Sequence, residues 1–388
     1  MDDSPIRVVG VIGAGTMGAG IAQVCSQIGW EVRLHDTLPG GAEAGMLRIE
    51  EFWAKGIQKG KTDANMVEEW RTNIIPSSLE EAAMRSDLVI EAVPERMDLK
   101  NDIFRSLDRL AGEDTILATN TSSLSVEEIS KSTQKPERVV GIHFFNPAPV
   151  MPLVEIIPAV QTDEHTLNSS VELIKSWGKT VVKCKDTPGF IVNRVARPFY
   201  GEALRIYEEG VADFATIDWA MREIGGFRMG PFELMDYIGN DINYTVTETV
   251  FAAFYFDQRY KPSFTQKRMM EAGYLGRKSE RGYYDYSKEM PKANEDREIG
   301  KKILWRILSM LINEAADALF LNIATKEDID LAMTKGVNYP KGLLYWADEI
   351  GIETVHTTLV SLKNKYSEDR YRPSPIFQNM LNQNKKFY

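Results

Sequence analysis

The first half of the chain alternates two hydrophobic patterns. Ile6–Gly13 (IRVVGVIG) is a β-branched run ending in glycine, which predicts a buried parallel strand. Over residues 16–29, Met17, Ile21, Val24, Cys25 and Ile28 recur at helical spacing. Glu31–Asp36 predicts the next strand, and residues 41–71 predict a charged helical excursion. Asp87–Val93, Thr115–Thr119, Val139–Phe145 and Val154–Val160 are further strand patterns. Strands alternating with helices predict an open, mostly parallel α/β sheet of the Rossmann-like kind.

The pattern changes at Asp186-Thr187-Pro188-Gly189. Long helical stretches follow, over 190–209, 213–223, 231–255 and 262–272. A polar linker, Ser287–Gly300, precedes a second helical segment over 301–388. Shifted by 112 residues, Glu202-Ala203 falls on Glu314-Ala315, Ile217-Asp218 on Ile329-Asp330, Gly230 on Gly342, Asp236 on Asp348 and Ile238-Gly239 on Ile350-Gly351. Two such copies are too few for a solenoid. They predict a duplicated helical domain whose halves pack face to face, as the subunits of a symmetric dimer do. The expected domains are 1–186, dinucleotide-binding; 187–287, helical; and 300–388, a second and degenerate helical copy.

The net charge of −10 argues against general binding to nucleic acid or anionic membrane. Two cysteines exclude a disulfide framework and suggest a reducing cytoplasm. The four histidines are scattered, none at metal-ligand spacing, so no metal is expected. Met1–Pro5 is acidic and does not read as a signal-peptide start, and no apolar run approaches the roughly 20 residues of a membrane span.

Gly13-Ala14-Gly15-Thr16-Met17-Gly18 is G-x-G-x-x-G, closing a strand and opening an amphipathic helix. Gly13 permits the tight turn, Gly15 lets a pyrophosphate approach the backbone, and Gly18 lets helix and strand pack closely. The helix N-terminus then faces the phosphates. Asp36 ends the second strand pattern, where a carboxylate accepts from a ribose 2′-hydroxyl and repels a 2′-phosphate, favouring NAD over NADP.

His143 lies at the end of a predicted strand, where ligands of open α/β sheets bind. Imidazole suits the removal of a hydroxyl proton near neutral pH. Glu155, within an apolar run, costs stability unless paired, and a His–Glu dyad would resolve that cost. By residue type alone, a buried structural histidine is the commoner outcome. Asn120 and Ser122 follow the strand Thr115–Thr119 on the same rim, with Ser125 and Glu128 at capping-box spacing. Asn193 sits on the first helix past the boundary.

These residues fall in motifs that resemble the L-3-hydroxyacyl-CoA dehydrogenase family. The motifs are GAGTMGAGIAQ (13–23), EAVPE (91–95), NTSSLS (120–125), GIHFFNPAPVMPLVEII (141–157), KDTPGFIVNR (185–194), MGPFELMDYIG (229–239) and GRKSERGYYDY (276–286), in family order. The resemblance implies NAD-dependent, reversible oxidation of (S)-3-hydroxyacyl-CoA to 3-oxoacyl-CoA, on a short or carboxylated acyl chain. It assigns His143 as base and Glu155 as its partner, with Ser122 and Asn193 on the substrate. Gly13, Gly15, Met17, Gly18, Asp36, Glu95, Lys100, Asn120, Ser122 and Asn146 would line the cofactor site. Glu95 and Lys100 could equally form a surface pair at a helix start. For the anionic CoA, Lys55 and Lys59 in the excursion after the second strand are the candidates, a solvated lysine face being the alternative. In the second helical copy position 193 falls on Trp305, and TPGFIVNR shows no counterpart, so that copy reads as scaffold. Two rival readings are a dehydrogenase of free hydroxy or sugar acids, gulonate-like, and a non-catalytic NAD-binding structural protein.

Overall fold

The computed structural model describes residues 7–388; Met1–Pro5, and Ile6 at the start of the first strand pattern, lie outside the described residues. The chain divides into two compact units, the first ending at Thr187 and the second running over Pro188–Tyr388.

The first unit opens with β1 (Val8–Ile12), α1 (Thr16–Gln27), β2 (Glu31–His35), α2 (Gly41–Gln58), α3 (Ala64–Thr72) and β3 (Ile74–Pro76). It continues with α4 (Leu79–Met84), β4 (Leu88–Glu91), α5 (Met97–Leu110), β5 (Ile116–Thr119) and α6 (Val126–Ser130). It closes with β6 (Val139–Phe144), β7 (Leu153–Pro158), α7 (Glu164–Ser176) and β8 (Thr180–Lys183). The eight strands run in the order β3-β2-β1-β4-β5-β6-β7-β8. Neighbours are parallel except β6 and β7. Central strands such as β4, β5 and β6 are buried along their whole length, as a sheet covered on both faces requires. The order turns back between β1 and β4, and a doubly wound sheet opens its ligand crevice at that point.

Two details depart from the sequence reading. The excursion expected over 41–71 is two helices, interrupted around Gly60, whose φ is +65°. Strands β3 and β8 had no counterpart among the expected strands.

The second unit is helical. It contains α8 (Val192–Val195), α9 (Arg197–Glu208), α10 (Phe214–Trp219), α11 (Pro231–Ile238), α12 (Asn240–Ala253) and α13 (Phe264–Glu271). After the linker come α14 (Arg297–Phe320), α15 (Lys326–Gly336), α16 (Leu343–Ile350), α17 (Ile352–Tyr366) and α18 (Pro375–Gln383). The single helix expected over 231–255 is split at Gly239, where φ is +107°; Gly351, 112 residues on, splits α16 from α17 at φ +100°.

The duplication repeats hydrogen bonds as well as residues. Asp218 accepts from the N–H groups of Phe232 (2.9 Å) and Glu233 (2.8 Å) at the start of α11. Asp330 accepts from Leu344 (2.8 Å) and Tyr345 (2.9 Å) at the start of α16. Asp236 accepts from the N–H groups of Tyr283 and Tyr284, and Asp348 from those of Phe387 and Tyr388. Each copy thus satisfies orphan donors at a helix start with a buried aspartate from the preceding helix.

The copies also exchange charges. Arg194 Nε lies 2.6 Å from Glu314 Oε1, and Arg306 Nε lies 2.9 Å from Glu202 Oε2. The offset of 112 that carries Glu202 onto Glu314 carries Arg194 onto Arg306. TPGFIVNR therefore does have two counterparts in the second copy, Ile191 falling on Ile303 and its final arginine on Arg306. Arg259 and Tyr260 also reach Glu314, while Arg370 and Tyr371 reach Glu202. Such reciprocity, residue i to j and j to i, marks an isologous interface. Among the described residues no helix is long and apolar enough to cross a membrane.

Candidate active site

Parallel strands bring the carboxyl ends of β1, β4, β5 and β6 to one edge of the sheet, and most of the expected site residues collect there. At β1, Gly13 takes φ +98°, and a Cβ there would meet the Ala92 carbonyl at 2.8 Å. A Cβ on Gly18 would fall 1.7 Å from the Gly13 oxygen, so α1 can lie against the turn only with glycine there. A Cβ on Gly15, in contrast, would meet nothing within 4 Å. Gly15 is the N-cap of α1 and offers no capping side chain. An open cradle in front of the N–H groups of a helix start fits a pyrophosphate. Met17 is half-buried in the first turn of the same helix.

Asp36 holds this turn in place. Its Oδ2 accepts from Ala14 N (2.7 Å) and its Oδ1 from Leu38 N (2.9 Å). Each oxygen keeps a second acceptor site for a ribose hydroxyl. Beside it lies an open hollow of about 390 Å³, lined by His35, Asp36, Leu38, Gly41, Pro76 and Ser78, at the carboxyl ends of β2 and β3. These residues fit the adenosine half of a dinucleotide.

At β4 the arrangement removes the surface-pair alternative for Lys100. Its side chain is buried, not on the surface, and its ammonium lies 2.6 Å from Glu91, which is buried as well. The exposed Glu95 is a looser contact at 3.4 Å. Glu91 also accepts from Val93 N (2.7 Å) and the Thr119 hydroxyl (2.7 Å), joining the ends of β4 and β5. Glu95 in turn accepts from the Ser122 N–H and hydroxyl and from the Thr121 hydroxyl. Lys100 is therefore the centre of a buried scaffold that holds the Glu95–Ser122 contact at the rim.

Asn120 accepts the N–H of Phe144 at 2.8 Å and so ties β5 to the end of β6. Ser125 caps α6 through Glu128 N, as its spacing predicts.

His143 and Glu155 stand directly opposite each other in the antiparallel β6–β7 register. Glu155 lies within an interior strand, flanked by β6 and β8, and not at an edge. His143 Nδ1 is 2.7 Å from Glu155 Oε2, and both side chains are buried. A carboxylate can only accept, so Nδ1 carries the proton and Nε2 is the basic nitrogen. Phe145 packs on the imidazole with ring centres 4.5 Å apart. Exposed Asn146 begins the turn after β6.

Three residues beyond the expected set also build this edge. Glu91 stood in a quoted motif without a role. Arg48 donates to the Ala14 carbonyl (3.2 Å) and, with Asn146 and Gln23, lines a small cavity of about 120 Å³ between α1, α2 and the turn. Lys179 clamps that turn through the carbonyls of Ala148 (2.6 Å) and Met151 (2.9 Å). Lys55 and Lys59 are exposed on and just after α2. Asn193 belongs to the second unit, half-buried on the one-turn helix α8.

A nucleotide-binding glycine turn, a buried His–carboxylate pair on the same sheet edge and a duplicated helical unit define an NAD-binding oxidoreductase, and the chain belongs to the 3-hydroxyacyl-CoA dehydrogenase family. The family's NAD binding domain matches residues 8–187, and its C-terminal domain matches 189–286 and again 303–386. Among individual proteins, the chain is 36% identical to the 3-hydroxyadipyl-CoA dehydrogenase of Escherichia coli K12, over 96% of this chain and 97% of that protein. It is 41% identical to a probable 3-hydroxybutyryl-CoA dehydrogenase of Bacillus subtilis 168, which covers 73% of this chain and 99% of its own length. The crystal structure of a 3-hydroxybutyryl-CoA dehydrogenase from E. coli K12 superposes with a TM-score of 0.92 at 34% identity, covering 97% of this chain and 98% of that one.

Proposed function

We propose that the chain oxidises (S)-3-hydroxyacyl-CoA reversibly to 3-oxoacyl-CoA, with His143 and Glu155 as its general base. The reaction balances as hydroxyacyl-CoA plus NAD⁺ giving oxoacyl-CoA, NADH and a proton. Gly13, Gly15, Met17, Gly18 and Asp36 hold the cofactor, with Glu95, Lys100, Asn120, Ser122 and Asn146 shaping the rim. When bound, NAD⁺ supplies the acceptor for the hydride on C3. His143 Nε2 takes the hydroxyl proton as that carbon becomes a carbonyl. Glu155 fixes the tautomer and stabilises the imidazolium that forms. Ser122 orients the reacting oxygen, and protonated His143 hydrogen-bonds it as charge develops. Asn193, in the second unit, is the further candidate ligand of the substrate's reacting end. Lys55 and Lys59 attract the CoA phosphates.

The observation that carries this reading is the 2.7 Å His143–Glu155 pair at the carboxyl end of β6, on the edge that also carries the glycine turn. A buried Glu opposite a buried His, with apolar neighbours along both strands, is costly unless the pair is used or fully satisfied. Two buried cysteines accord with a cytoplasmic setting. The reciprocal Arg–Glu contacts of the second unit support an internal pseudo-dimer, so that a single chain suffices for activity.

A substrate panel tests the reading. NADH formation is expected with 3-hydroxybutyryl-CoA or 3-hydroxyadipyl-CoA, with NAD⁺ strongly preferred to NADP⁺. Turnover of gulonate in place of either thioester would replace it with a sugar-acid dehydrogenase. No turnover with any of them would leave an NAD-binding structural protein.

A further inference from the structure

We propose that Glu314, contributed by the second helical copy, is a positioning residue for Asn193 in the first, acting through Arg194. This rests on reading Asn193 as a ligand of the reacting oxygen. Asn193 stands on α8, a single turn of four residues. Ala196, itself in helical conformation, joins α8 to α9, so Asn193 lies in the first turn of a longer helical stretch, where backbone hydrogen bonds are fewest and tertiary anchors add most to the hold. Arg194, the next residue, provides one. Its guanidinium is buried, stacks 5.1 Å over the Phe254 ring and meets Glu314 at 2.6 Å. Neighbouring residues on a helix point about 100° apart. Fixing the Arg194 side chain therefore fixes the rotation of α8, and with it the direction of Asn193. Arg197 adds a second tie, donating to the Asn193 carbonyl at 2.9 Å.

Glu314 is built to hold this charge. It is fully buried on α14 and also meets Arg259 at 3.2 Å and the Tyr260 hydroxyl. Burial alone would push its carboxyl up, but the Arg194 and Arg259 charges outweigh that and hold it below the ordinary range.

The mirror network supplies the control. Glu202 is buried to a similar degree and takes Arg306 and Tyr371 in the same way. Arg306, however, follows Trp305 within α14, a continuous helix of 24 residues. That helix needs no single ion pair to set its rotation. A purely structural role predicts that the two carboxylates matter alike, whereas positioning predicts that only Glu314 matters for turnover.

The test is steady-state kinetics of the full chain with (S)-3-hydroxybutyryl-CoA and NAD⁺, beside thermal unfolding. Glu314→Gln should lower kcat by about 10- to 100-fold, the scale of a catalytic group displaced by about 1 Å, with KM for NAD⁺ unchanged. Glu202→Gln should lower the unfolding temperature similarly while keeping most of kcat. If the glutamine variants do not fold, Tyr260→Phe against Tyr371→Phe poses the same question more gently, with turnover expected to fall only in the former. Added to Asn193→Ala, Glu314→Gln should cost little more, because it acts through a side chain already removed. Equal losses of kcat on the two sides, or normal kcat in Glu314→Gln, would overturn the proposal. Full activity in Asn193→Ala would instead remove the reading of Asn193 on which it stands.

Discussion

The two helical copies of the second unit share a framework and differ at one functional position. Both cap a helix start with a buried aspartate, Asp218 in one and Asp330 in the other, and both break a helix pair at a glycine of positive φ. Both send an arginine into the opposite copy's buried glutamate. Where the first copy carries Asn193 in the first turn of a helical stretch, the second carries Trp305 inside a long helix. Folding requirements are met twice, because each copy must satisfy its own buried polar groups. The residues read as chemical are met once.

The largest effect expected from this contrast is on turnover. Asn193→Ala should lower kcat by about 10²-fold or more, as losing a donor to a developing oxyanion does. Trp305→Ala, at the matching position, should leave kcat nearly intact; a comparable loss there, measured by NADH absorbance, would erase the contrast.

The shared framework gives the next effect. Asp218→Ala and Asp330→Ala each strand two helix N–H groups and should cost about 1–3 kcal/mol of stability in denaturant unfolding. A neutral result at either site would break the equivalence of the copies.

The smallest effect is in pH dependence. Burial raises the Asp218 carboxyl to about 7, against the pull of the Tyr284 hydroxyl and two backbone donors. A carboxyl raised in the folded state binds its proton more tightly there than in the unfolded chain. Its contribution to stability is whole below the unfolded value of about 4 and is lost as the pH rises through about 7. Asp218→Asn should therefore flatten the fall of Tm over that window. Asp330 is 8% exposed against 1% for Asp218, so its Asn variant should flatten the profile less. Identical profiles in the wild type and both variants would contradict this.

Much of the architecture was legible because it rests on local pattern. The β-branched runs, the glycine turn and the helical periodicity are each visible within a dozen residues. Strand β3 was not, because it spans three residues, two of them exposed, and ends in proline. The break at Gly239 was hidden because apolar spacing continues through it. Within the site, Asp36 and the glycines were readable from a fixed local spacing, and the His143–Glu155 pairing from a carboxylate set in an apolar run that calls for a partner. A surface pair of Glu95 and Lys100 stood as the alternative to a cofactor contact because a first-turn position on α5 is usually solvated; the buried partner of Lys100, Glu91, lies across the end of a strand. The Arg194–Glu314 contact joins residues 120 positions apart, beyond any periodicity. The signal that could have found it was the repeat itself, which carries both Arg194 and Glu202 onto residues of the same kind.

The most direct test of the central claim is the turnover of His143→Gln with (S)-3-hydroxybutyryl-CoA and NAD⁺, beside NADH binding measured by fluorescence. A base that carries the reaction predicts a loss of about 10²- to 10⁴-fold in kcat with NADH affinity retained. Turnover close to that of the wild type would show that the imidazole opposite Glu155 does not take the proton.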